Sequence, residues 1–128
     1  MVPEKVEFKR VGPPMVTAKI GDDYFVVEIT LDGTPDSTWI DCFKHPTNYK
    51  SNEAHPSRTT VSLGKITFSS SKSNIETNVE WMDKYIHQAN DCYEKKMSEQ
   101  IAFQNRVLDQ AKKQQEEIDK INQSLKDL

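Results

Sequence analysis

Residues 69–86 read SSSKSNIETNVEWMDKYI, and here the chain changes character. Serines and a lysine lead into apolar positions Ile75, Val79, Met82 and Ile86, whose spacings of three and four belong to one face of a helix. Ser73, with Glu76 three residues on, has the form of a capping box, in which a hydroxyl and a carboxylate satisfy exposed amides at a helix start. A helix is therefore predicted from Asn74. Its stripe continues through Ala89 and Tyr93 and is expected to cover a sheet.

The punctuation on either side agrees. All four glycines and all six prolines precede residue 65, and nothing breaks the chain after it. Before residue 65 the pattern is that of strands. VEFKRV sets Val6 and Phe8 against Glu7 and Lys9, and MVTAKI puts Val16, Ala18 and Ile20 on one face. After GDD, YFVVEITL alternates Phe25, Val27, Ile29 and Leu31 against polar or smaller neighbours, so these last two runs form a hairpin. TWIDCF reads as a further strand, with Trp39 and Phe43 on one face, and TTVSLGKITFSS as one or two strands around Gly64. Between them KHPTNYKSNEAHPSR, residues 44–58, is polar and aperiodic, the mark of a long loop.

The fold class that follows is α+β: an antiparallel meander of five or six strands, then one long C-terminal amphipathic helix. Residues 1–73 form the β domain, 74–96 the helix packing on the sheet, and 97–128 a helical extension. In that extension the stripe runs on through Met97, Ile101, Leu108, Ala111, Ile118, Ile121 and Leu125, thinned by Gln104, Gln114 and Gln115 and with slips in its spacing. At 1.5 Å per residue an unbroken helix would reach about 80 Å, more than such a sheet can cover. Either copies pair through this stripe as a coiled coil, or the helix folds back as a hairpin. The lack of a Gly or Pro turn favours self-association.

Composition narrows the function classes. A chain of 128 residues with 35% apolar and 29% charged residues suits one modest core with some length left over. The net charge of −3 is divided without a basic arm, which argues against a nucleic-acid partner. There is no run of 18 apolar residues, so no membrane partner is expected, and without a secretory-type hydrophobic stretch at the amino terminus the expected location is the cytoplasm. Two distant cysteines, Cys42 and Cys92, are then expected as reduced thiols.

Four constellations remain. The serines before the helix, with Lys72, stand where free amides favour an anion, although no glycine lets a phosphate approach the backbone. Cys42-x-x-His45 with His55 lacks the fourth ligand of a zinc site, and no metal or cofactor is expected. A thiol enzyme built on Cys42 would need an acid on the same strand face, which neighbouring Asp41 cannot offer, and no catalytic motif is present; an enzyme is not expected. Aromatic residues near a polar loop, and the second helix stripe of Trp81, Tyr85, Gln88 and Cys92, fit an interface.

The function expected is a non-enzymatic protein-binding or assembly module, a homo-oligomer joined by its C-terminal helix. Tyr49, Lys44, Arg58, Trp81 and Tyr85 would meet a protein partner. The alternative is a binder of a small anionic ligand, a nucleotide or metabolite, held at the sheet–helix junction or a subunit interface by Arg58, Lys65, Ser71, Lys72 and Ser73 with Trp39 or Trp81 stacking.

Overall fold

The structure is a computed structural model that describes residues 7–48 and 54–128. It is α+β. Strands β1 (Met15–Lys19), β2 (Tyr24–Thr30), β3 (Thr60–Ser62) and β4 (Lys65–Ser71) make one antiparallel sheet in the order β1-β2-β4-β3. Helix α1 (Ser37–Lys44) lies between β2 and β3, and helix α2 (Ile75–Leu125) closes the chain without a break over 51 residues. The chain divides at Glu94/Lys95 into a unit holding the sheet, α1 and the start of α2, and a second unit of Lys95–Leu128.

The central pair obeys the predicted alternation. Val27 faces Phe68 and Ile29 faces Ile66 across β2 and β4, and all four are buried. With Leu31 they join Trp39, Cys42 and Phe43 of α1 and Val79, Met82, Tyr85, Ile86 and Ala89 of α2 in one apolar cluster. The hairpin β1–β2 forms with a bulge between Val16 and Ala18, and β1 is exposed along its length. In the β3–β4 turn both Leu63 (φ 53°) and Gly64 (φ 77°) take left-handed backbone, the geometry of the two-residue turn that suits strand twist. A Cβ on Gly64 would lie 2.8 Å from the Gly33 carbonyl oxygen, so glycine is required there for space as well as conformation.

Four strands form among the described residues, not five or six, and two expectations explain the difference. TWIDCF is helical. Asp36 caps α1 by accepting from the Trp39 amide at 3.0 Å, and Trp39, Cys42 and Phe43, at helical spacings of three and one, turn a single face to the core. The VEFKRV stretch, described from Glu7, makes one isolated bridge, Arg10 to Leu31, because the main chain of Phe8 bonds instead to the side chain of Asn90.

A further correction concerns sulfur. Cys42 and Cys92 form a disulfide, with Cα atoms 5.8 Å apart, that ties α1 to α2 across 50 residues of chain. Strand and helix signals do not reveal it, since the pairing depends on α1 lying beside α2. The helix start also differs slightly: α2 begins at Ile75, and Ser73 sits in a preceding 3₁₀ turn, Lys72–Asn74.

Candidate interaction surfaces

Two surfaces gather residues singled out by the sequence, and a third is built from residues it did not single out. The first is the second unit. Phe103, Val107, Leu108, Ile118, Ile121, Leu125 and Leu128 are all 49–96% exposed. Such residues seldom hold an isolated helix in water, because a lone helix gains little from its own side chains. Of the predicted oligomerisation residues, Leu108, Ile118, Ile121 and Leu125 are exposed apolar side chains, Ala111 is exposed, and Met97 and Ile101 are half-buried. Phe103 and Val107, outside the predicted stripe, belong to the same exposed set; their i, i+4 spacing was the signal that could have found them.

The second surface is the helix flank facing the 44–58 loop. Gln88 clamps the loop's first part: its Oε1 accepts from the Asn48 amide (3.2 Å) and the Thr47 hydroxyl (3.5 Å), and its Nε2 donates to the Asn48 carbonyl at 2.6 Å. Cys92 is bonded to α1. Tyr85 is fully buried, with the His55 ring 6.4 Å away, so it supports the loop from beneath and does not meet solvent. Trp81 is half-buried, and the Lys84 ammonium lies 4.4 Å from its ring centre. The second stripe of the helix thus serves α1 and the loop. Lys44 is half-buried in the last turn of α1, Arg58 is exposed in the 3₁₀ turn Pro56–Arg58, and Tyr49 lies outside the described residues.

The third surface is an open cleft of about 550 Å³ lined by Arg10, Asp32, Asp83, His87 and Asn90, among others. Arg10 holds Asp83 with two bonds, Nε to Oδ1 at 2.9 Å and a second guanidinium nitrogen to Oδ2 at 3.1 Å. That pairing raises the guanidinium pKa further. At the cleft floor Asn90, 6% exposed, accepts at Oδ1 from the Phe8 amide and from Trp39 Nε1, both at 2.9 Å, and donates to the Phe8 carbonyl at 2.7 Å. With both charges of the Arg10–Asp83 pair matched, the cleft reads as the seam where the amino-terminal segment is fastened to α2.

Two of the residues proposed to bind an anion, Trp39 and Lys65, are put to other uses. Trp39 is 0% exposed, stacked on Phe43 and met edge-on by Phe8, so no ligand can stack on it. Lys65 pairs with Glu28 at 3.3 Å. Ser70 is buried, accepting from Asn78 Nδ2 and donating to the Ser71 carbonyl, both at 2.8 Å, which fastens β4 to α2. Lys72 and Ser73 are exposed in the 3₁₀ turn and Ser71 is half-buried before it. Cys42, in the disulfide, offers no thiolate. His45 Nδ1 donates to the Asp41 carbonyl at 2.9 Å, and His55 Nδ1 accepts from the Ser57 amide at 3.1 Å. Among the described residues no three His, Cys, Asp or Glu side chains converge as a metal site, and no helix is long and apolar enough to cross a membrane. No family model, curated protein or solved structure matches this chain.

Proposed function

We propose that this protein is a non-enzymatic assembly module, in which residues 95–128 bring copies of the chain together and the unit of sheet, α1 and early α2 is displayed to a protein partner. The observation that carries this reading is the set of six large apolar side chains, from Phe103 to Leu125, left 49–68% exposed on one helical segment, with Leu128 exposed just past its end. Burial of apolar area is the general driving force of association, and a patch of this extent marks an interaction site. On the displayed unit, Trp81, Lys44 and Arg58 around the 44–58 loop form the surface offered to the partner. Of the two residues that could stack on an anionic ligand, Trp39 lies in the core and Trp81 is half-buried under Lys84; the exposed apolar set favours the assembly reading.

The disulfide bears on where the module works. Such bonds persist in oxidising surroundings and are rare in a reducing cytosol, so we place the protein in an oxidising compartment in preference to the cytoplasm.

The test of assembly is the solution mass of the full chain against its 14.7 kDa, and of a variant carrying Leu108→Glu and Ile118→Glu. The parent is expected as an oligomer and the variant as single chains, since a carboxylate in an apolar seam is strongly disfavoured. A parent that sediments as one chain at all concentrations would refute the proposal.

A further inference from the structure

The tail's chemistry, taken on the reading that it self-associates, specifies what kind of assembly it makes. If the amides Gln104, Gln115 and Asn122 are counted as members of the seam, its spacing does not slip. From Met97 to Leu125 the positions step by four and three without exception, the heptad pattern with Met97 at d, Ile101 at a and Leu125 at d. The structure keeps this whole stretch helical.

The charges settle how wide the seam is. Between Met97 and Leu128 none of the fourteen residues at heptad positions a, d and g is charged, and all eleven charged residues occupy the other four positions. Within the helix, position g carries Gln100, Val107, Gln114 and Ile121, with Val107 and Ile121 exposed by 50% and 53%, where two-stranded coils commonly place glutamate or lysine. Phe103, at 60%, borders g on its outer side. A two-stranded coil shelters a and d only; an uncharged face three positions wide matches a helix that packs on two neighbours at once.

The same face argues for copies of this chain as the neighbours. A buried amide must find both a donor and an acceptor. Gln104, Gln115 and Asn122 satisfy each other when identical helices run in parallel and in register, each amide meeting its own equivalents at the same height. A foreign helix would need matching polar residues at three separate layers.

We infer that residues 97–128 form a parallel bundle of three or four copies, with amide layers at Gln104, Gln115 and Asn122 and with Val107 and Ile121 inside it. Sedimentation equilibrium of the full chain over a concentration series should give three or four times the chain mass. The discriminating variant is Val107→Glu with Ile121→Glu. In a two-stranded parallel coil the first glutamate would face Lys112 of the partner helix across the g–e flank, the second would stay at the solvent-exposed edge, and the mass would remain at two chains. In the bundle they are buried, and the variant should fall to single chains at concentrations where the parent is assembled. A parent of two chains, or a variant that keeps the parent's mass, would overturn this inference and leave self-association standing. A parent of one chain would overturn both.

Discussion

Replacing Asn90 with alanine tests the junction that organises the core. The side chain makes three hydrogen bonds, two to the main chain of Phe8 and one to Trp39 Nε1, and both Asn90 and Trp39 are buried. Alanine leaves the buried indole N–H without its protein partner, which costs about 1–3 kcal/mol. Phe8 is only partly buried, so water can replace much of what its amide and carbonyl lose, and those two bonds add about 1 kcal/mol together. The expected loss is thus about 2–4 kcal/mol, a large share of the roughly 5–15 kcal/mol that holds a domain folded. It should be measured by urea unfolding of the full chain at fixed protein concentration, because the association proposed above would add its own stabilisation. The cycle with Trp39→Phe isolates the decisive bond, since phenylalanine has no N–H to strand. Coupling between the two sites of about 1–2 kcal/mol is expected. An N90A loss under about 1 kcal/mol, or one of the same size in the W39F background, would refute the reasoning.

The disulfide closes a loop of 50 residues, for which chain entropy gives about 4 kcal/mol at 25 °C; reduction, or the C42A/C92A pair, should lower the urea midpoint accordingly, and an unchanged midpoint would count against the bond. Leu63 is 86% exposed and held at φ 53°, a conformation costing a side chain such as leucine roughly 1–2 kcal/mol. Asparagine tolerates it, so Leu63→Asn should raise the melting temperature by a few degrees, and a lower one would show that Leu63 makes contacts of value. The Tyr93 hydroxyl donates to Asp36 at 2.8 Å, and this hydrogen bond, aided by desolvation and the aspartate charge, raises its pKa above 10. A raised folded-state value means the contribution is complete below the unfolded pKa of about 10 and disappears as pH climbs through the folded one. Tyr93→Phe should therefore be less stable than the parent at neutral pH and lose less than it does above pH 10 in a denaturation series; parallel curves would rule this out.

Where a single local rule decides an element, the chain could be read directly. Val27, Ile29 and Leu31 alternate because one face of β2 is buried and the other is not, and the helix period from Ile75 survives to Tyr93 because that face packs into the cluster shared with the sheet and α1. TWIDCF misled because two periods fit six residues. Alternation suggested Trp39 with Phe43, while the helical set Trp39, Cys42 and Phe43 contains the same pair. Asp36, three residues before Trp39, was the discriminating signal, since a carboxylate there caps a helix and does nothing for a strand. The role of Phe8 was not legible at all: whether its amide joins a ladder depends on Asn90, 82 residues away.

The disulfide and the tail illustrate the same boundary from opposite sides. Cys42 becomes a partner for Cys92 only once α1 is a helix, so misreading one element also hid the covalent link that depends on it. In the tail the difficulty was the choice of which residues to count. Following only apolar side chains makes the stripe appear to slip at Ile121, three residues after Ile118 where the heptad calls for Asn122 at four, whereas the absence of charge follows the heptad without interruption to Leu128. Exclusion of charge is the more informative marker for a seam of this composition. A lysine or aspartate at a buried position costs far more than a glutamine that finds a matching amide, so selection against charge leaves a sharper trace than selection for leucine.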